Sequence, residues 1–287
     1  MAKPHLHVIQ LLSDSNSHIE PLTAPGVRFS TVIVASPTQA VGWAGDVDSH
    51  LRILHDPGGF NRVQRLNMGL RHVLQRGGRY VLCMQPDVRL QPDAVTALLE
   101  AIEENGSIGL VGPRVDLRAG RQRASYHGGG WIDLDGGRYH TPDPDARDYC
   151  VDYVMPDAML LRTSVLRHVG LFDVRLVMRW SVVDWCLRMQ YAGWRPYVAG
   201  GCRAVRWKVD DVDARDDAFG FAGVVHRHSR NPRQAVRRGS WPVMWQYVNR
   251  FELLGAWRFF TAARNHPVSS GTIAYNRAIQ PPQRNAA

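Results

Sequence analysis

Short apolar runs alternate with amphipathic stretches through the first half of the chain, and that alternation leaves few architectures open. His5–Leu12 is an apolar run ending in Ser13-Asp14-Ser15-Asn16, and Phe29–Ala35 is a β-branched run ending at Ser36-Pro37. Both read as buried strands. Leu51–Leu54 is a third, closed by Asp56-Pro57-Gly58-Gly59. A helix is predicted from about Asn61 to Gln75, with Val63, Leu66, Leu70, Val73 and Leu74 on one face and Gly77-Gly78 as its stop. Tyr80–Met84 is the most strand-like run and ends at Gln85-Pro86-Asp87. Pro92 opens a second helix whose stripe of Val95, Leu98, Leu99 and Ile102 ends at Asn105-Gly106, and Ile108–Val111 is another strand. Repeated β-α-β units predict an α/β fold: a mostly parallel, Rossmann-like sheet flanked by helices. Ligands of such sheets bind beyond the carboxyl ends of the strands, which puts Asp14, Ser36 and Asp87 on one rim.

The second half is less regular. Arg118–Asp148 is rich in Gly, Asp, Arg and Tyr and reads as hairpins or a loop. Val151–Leu161 resumes the core, Ser164–Val169 is a short helix, and Asp184–Tyr191 is a helix closed by Gly193-Trp194. After Trp207 comes an acidic stretch, 210–217, without the spacing or central Gly of an EF-hand loop, which reads as a solvated loop. His226 and His228 have the i,i+2 spacing of one strand face, compatible with a shared cation or with solvated loop histidines. The aromatic stretch 241–260 is helical in pattern and suits a membrane-surface helix, a dimer helix or a core-docking helix.

A chain of 287 residues, 45% hydrophobic and 21% charged, suits one large domain with an appended lobe and excludes global disorder. Its formal charge of +9 points to an anionic partner, and no nucleic-acid-binding motif accompanies it. No run reaches the length of a membrane span. Four scattered cysteines, with no C-x-x-C pair, fit free, mostly buried thiols and a reducing cytoplasm.

Four segments, in order, resemble one family. They are PGGFNRVQRLNMGLRHV (57–73), YVLCMQPDVRLQPDAVTALLEAI (80–102), VDYVMPDAMLLRTSVLRHVGLFD (151–173) and VVDWCLRMQYAGWRPYV (182–198). Together they resemble the inverting family 2 glycosyltransferases of GT-A fold, closest to the bacterial rhamnosyltransferase and galactofuranosyltransferase branch. The resemblance spans about residues 5–207. It implies a GT-A domain over 1–210, with a nucleotide-binding half (about 1–115) and an acceptor half (about 116–210), followed by a loop and helical extension (211–287). It implies transfer, with inversion, from a UDP- or dTDP-sugar to a hydroxyl of a glycan, glycolipid or protein in polysaccharide biosynthesis. The protein would be cytoplasmic, with peripheral membrane contact or a homodimer through the C-terminal helices as further options.

The same resemblance assigns Asp87 to a divalent cation, Mg²⁺ or Mn²⁺, that bridges the donor diphosphate; a turn-forming Asp is the alternative. Gly59 would let the backbone approach the donor or simply form a turn before the helix, Arg62 and Arg65 would reach a phosphate or be solvated, and Asn67 would contact the donor or support packing. Asp14 and Ser36 join this nucleotide-sugar set.

Four departures stand out. Ser181 and Val182 occupy the family's Glu-Asp pair, whose second member is the general base, and valine accepts no proton. Asp184 is the nearest carboxylate, either a catalytic group or the cap of a helix N-terminus with a depressed pKa. Arg206, Trp207 and Lys208 stand where the family keeps a metal-site His, so Arg206 would neutralise phosphate charge and make the metal weak or dispensable. Ala35 replaces a strand-end Asp, for which Asp14 would compensate unless it serves as a cap or turn residue, and Asp157 replaces a Gly beside the acceptor and is a candidate substitute base. The alternative function is a catalytically impaired relative acting as a binding or scaffold subunit.

Overall fold

The computed structural model describes residues 5–12, 18–19, 21–43, 50–119, 122–126, 128–135, 138–140, 148–207, 214–249, 257–258 and 261–263. The chain opens with β1 (His5–Leu11), β2 (His18–Ile19), β3 (Arg28–Ala35), β4 (Gly42–Trp43), β5 (Leu51–His55) and α1 (Arg62–Arg76). It continues through β6 (Tyr80–Met84), β7 (Val88–Leu90), α2 (Ala94–Glu104), β8 (Ile108–Ala119), β9 (Gln122–Tyr126), β10 (Gly129–Asp133) and β11 (Arg138–His140). It ends with β12 (Asp148–Cys150), β13 (Tyr153–Val154), β14 (Ala158–Arg162), α3 (Thr163–Val169), α4 (Met178–Tyr191), β15 (Arg195–Arg206), α5 (Ala214–His228) and α6 (Pro232–Asn249).

The main sheet has the order β12-β15-β8-β14-β6-β1-β3-β5, with β7 added to β15 and β9 to β8. β1 runs parallel to β3 and β6, β3 to β5, and β8 to β15. β14 lies antiparallel between β6 and β8. Alternation along β1 sends Leu6 and Val8 to the α2 side of the sheet and Ile9 and Leu11 to the α1 side. β6 is buried at all five positions, as a central strand covered on both faces requires.

Local chemistry fixes the helices. Asn61 and Gln64 form a capping box at the start of α1, and Gly77 ends it at φ 80°. Midway along α1, a Cβ on Gly69 would lie 2.9 Å from Ile9 Cγ2, so a larger residue would push the helix off the sheet. The hairpins expected after Arg118 are present as the antiparallel pairs β8–β9 and β10–β11. Cys83, Cys186 and Cys202 are buried, Cys150 is exposed, and all four are free thiols.

Three expectations fail. The helix expected over Asp184–Tyr191 starts earlier, at Met178, so Asp184 lies in mid-helix and caps nothing. Every residue from Trp180 to Leu187 is buried, and a helix enclosed on all sides shows no amphipathic stripe. The acidic stretch 210–217 is also helical from Ala214, where α5 starts. Asp217 is buried in its first turn and accepts a 2.6 Å hydrogen bond from Trp180 Nε1, so α5 is tied to α4. His226 and His228 therefore ride on a helix and are buried; they occupy neither a strand face nor a solvated loop. A Cβ on Gly220 would meet Trp180 Cδ1 at 2.4 Å, a measure of how closely the two helices touch.

Candidate active site on the carboxyl rim of the sheet

The pairing register assembles the rim. β6 ends at Met84, opposite Ala158 of the antiparallel β14, so Gln85 and Asp157 leave the sheet together and Gln85 N–H bonds the Asp157 carbonyl at 2.9 Å. β15 runs parallel to β8 and delivers its last residue, Arg206, to the same rim, opposite Val88 of β7. Trp207 N–H closes the seam by bonding the Asp87 carbonyl at 3.0 Å.

Three charged groups meet there. Arg206 Nε–H bonds Asp87 Oδ2 at 3.0 Å, and its Nη1 bonds Asp157 Oδ1 at 2.8 Å. Arg206 is 6% exposed and Asp157 is 0% exposed, so the bridge is made away from bulk water, where charge-assisted bonds are strong. Gln85 is buried beside it, and its Oε1 takes no hydrogen bond among the described residues. A buried acceptor in that state suits a donor arriving with a ligand. The Trp207 side chain, half exposed, lies next in the chain.

The parallel strands supply the other part of the rim. Ser36 follows β3, and its Oγ–H bonds Gln39 Oε1 at 3.2 Å. Gly59 lies at φ 75° in the exposed turn after β5, and Arg62 begins α1, also exposed. The other two candidates have different work. Arg65 Nε–H bonds the buried carboxylate of Asp56 at 2.6 Å, and that carboxylate also accepts Gly58 N–H at 2.7 Å. Arg65 thus compensates Asp56 and stiffens the turn; it is not extended towards a phosphate. Asn67 is buried and spent at both ends on Phe172, donating to its carbonyl at 2.8 Å and accepting its N–H at 3.1 Å. Its role is to brace the 170–173 segment against α1. Asp14 and Lys208 lie outside the described residues.

Asp184 belongs to a second cluster, sealed between α4 and α5. Its carboxylate is 0% exposed and takes bonds from Arg188 Nε at 2.9 Å, His228 Nε2 at 2.9 Å and Arg227. Burial alone would raise its pKa; the His228 hydrogen bond and the Arg188 and Arg227 charges override burial and hold it at about 2. Arg227 also bonds Asp173 at 2.6 Å. Burial works against ionisation of Asp173 too, yet its bonds to Arg175 and Arg227 hold its pKa well below the carboxylate range. Burial lowers the His228 pKa below the ordinary imidazole value, against the pull of Asp184. Its Nε2–H tautomer donates to Asp184 while Nδ1 accepts the Tyr191 hydroxyl at 3.2 Å. With three donors bonded to its two oxygens, Asp184 has little capacity left to accept a proton. Val182 is 0% exposed in the same core, so the position matching the family's base faces packed side chains.

The rim does not suit a divalent cation. Asp87 and Asp157 already share Arg206, and among the described residues no three His, Cys, Asp or Glu side chains converge as ligands would.

No protein-family model matches this sequence, and no curated protein matches it. Its fold is nevertheless shared with solved glycosyltransferases. A structure described as GalNAc-T7 with UDP, GalNAc and Mn²⁺ aligns with a TM-score of 0.61 at 10% identity, covering 97% of this chain and 58% of that one. This chain therefore spans little more than half of that protein. S. aureus TarS 1–349 in complex with UDP-GlcNAc aligns with a TM-score of 0.54 at 12% identity over 94% of this chain and 83% of that one. The mannosyltransferase PcManGT from Pyrobaculum calidifontis, in complex with GDP-Man and Mn²⁺, aligns with a TM-score of 0.51 at 12% identity over 95% and 78%. The fold is GT-A: a mostly parallel sheet flanked by helices.

Proposed function

We propose that this protein is a glycosyltransferase that takes a sugar from a nucleotide-diphosphate donor and passes it, with inversion, to a hydroxyl of a glycan, glycolipid or protein. The observation that carries this reading is the rim itself. Asp87, Asp157 and Arg206 come from three separate strand ends and meet where open α/β sheets bind ligands. The GT-A neighbours, whose descriptions name UDP, UDP-GlcNAc and GDP-Man, support a nucleotide-sugar donor.

Transfer requires charge stabilisation at the leaving diphosphate and a base for the acceptor hydroxyl. Arg206, with Arg62 and the backbone around Gly59, faces the diphosphate in this reading, and Ser36 lines the nucleoside side. Asp157 receives the acceptor proton in this reading; it lies on the rim, bonded to Arg206. Asp184 holds α4 to α5 and takes no part in the chemistry. The rhamnosyl- or galactofuranosyl-transferring branch, a cytoplasmic site of action, contact with a membrane face and pairing through the C-terminal helices complete the proposal. Among the described residues no helix is long and apolar enough to cross a membrane.

A panel of UDP-, GDP- and dTDP-sugars with hydroxyl acceptors, read by release of the nucleoside diphosphate, tests the proposal. At least one donor is expected to turn over, and Asp157→Asn is expected to lower kcat by about 100-fold or more, the usual worth of a general base. Silence over the whole panel, with nucleotide binding retained, favours the second reading, a non-catalytic GT-A relative serving as a binding subunit. The specific support for that reading is Val182, sealed in the core where the resemblance expects the base.

A further inference from the structure

We infer that the Arg206 guanidinium takes the place of a divalent cation at the donor site, so that the nucleoside diphosphate binds without Mg²⁺ or Mn²⁺. The inference rests on the donor-site reading above and deepens it.

A cation at a GT-A rim gathers carboxylates and presents positive charge to the diphosphate. Here one side chain does the gathering. Asp87 follows β6, Asp157 precedes β14, and both bond the same guanidinium at 3.0 and 2.8 Å. The charge is built in by the backbone, because β15 is paired with β8 along one edge and with β7 along the other up to Arg206 itself. Burial keeps the arrangement in place, with the three side chains 7%, 19% and 0% exposed for Arg206, Asp87 and Asp157. A guanidinium carries five N–H donors in a fixed planar fork, so it can bridge several oxygens at once, as a metal does, and it stays charged at every working pH.

A divalent ion would have to displace Arg206 from both carboxylates and leave a guanidinium buried beside a dication. Like charges that close, away from water, repel strongly. The place between the two carboxylates is therefore already taken by a cationic group before the donor arrives.

The test is isothermal titration of the full chain with UDP, GDP and dTDP, in EDTA and again with Mn²⁺, alongside a thermal-shift titration with Mn²⁺ alone. Expected are a dissociation constant that differs less than fivefold between the two buffers and no melting shift from the metal. Arg206→Ala frees both carboxylates, so it is expected to bind nucleotide at least tenfold more weakly in EDTA and to recover when Mn²⁺ is added. Nucleotide binding by the wild-type chain that tightens fivefold or more with Mn²⁺ overturns the inference and leaves the donor-site reading standing. So does a variant that binds in EDTA as tightly as wild type. A chain that binds no nucleotide in either buffer overturns the donor-site reading, and the inference with it. If Arg206→Ala does not fold, the wild-type comparison decides alone.

Discussion

Val182 is the residue on which sequence and structure pull hardest against each other. Matched to the family that the sequence motifs resemble, the position calls for a carboxylate, and exchanging valine for aspartate looks like a repair. In the fold, the side chain is 0% exposed and belongs to the core cluster with Trp180, Val183 and Trp185. A carboxylate placed there has no built partner, and an uncompensated buried charge costs about 3–5 kcal/mol. Val182→Asp is thus expected to lower stability by about that much in a urea melt and to create no transferase activity. An unchanged midpoint together with new turnover would show that the position opens onto the site after all. Asn67 and Arg65 teach a similar lesson. Both residue types suit a nucleotide site, and both sit at the expected helix, but each is bonded to structure: Asn67 to Phe172 and Arg65 to Asp56. Residue type and spacing locate a helix face; they do not reveal which partners the rest of the fold brings to it.

Among elements, the seam between α4 and α5 was the least legible. Neither the early start of α4 nor the helical state of 214–217 leaves a periodic signal, because one helix is buried all round and the other begins in a charge run. The clue was chemical: acids at Asp173 and Asp184 stand some forty to fifty residues before the bases Arg227 and His228, a pattern that only tertiary packing unites. That seam makes stability depend on pH. His228 faces Asp184, Arg188 and Tyr191 across from α5, with Arg227 beside it, and its pKa lies below the ordinary 6.5 through burial. The unfolded chain takes up a proton below pH 6.5 that the folded chain refuses, so stability contributed here is full above 6.5 and declines as pH falls below it. Asp184 adds a second loss, starting near its unfolded value of 3.8 and complete once pH falls below about 2. Stability followed from pH 8 to pH 5 should fall more steeply in wild type than in His228→Gln, whose amide still donates to Asp184 but does not titrate. Equal slopes would remove His228 from the account. By contrast, the strands and helices that build the rim were legible. Tyr80–Met84, the Asn61 cap and the α2 stripe each carry a strong local signal, since their buried faces are continuous in sequence.

For the molecule as a whole, the sheet is what turns scattered residues into a site. Asp87 and Arg206 are 119 positions apart, and they meet because β7 and β15 pair antiparallel at the rim. Sequence placed Asp87 correctly after its strand, yet nothing local announced that Asp157 and Arg206 would share one bridge with it. That required the β6–β14 and β8–β15 registers, which are properties of the assembled sheet. The central claim is that this rim, and no other surface, receives the nucleotide sugar. A crystal structure of the protein soaked with UDP, or with whichever donor turns over, measures that claim directly. The account predicts the diphosphate within hydrogen-bonding distance of the Arg206 rim, with the nucleoside towards Ser36. A nucleotide bound in the acidic cavity beside Glu100, Glu104 and Asp148, or anywhere away from Arg206, would contradict it.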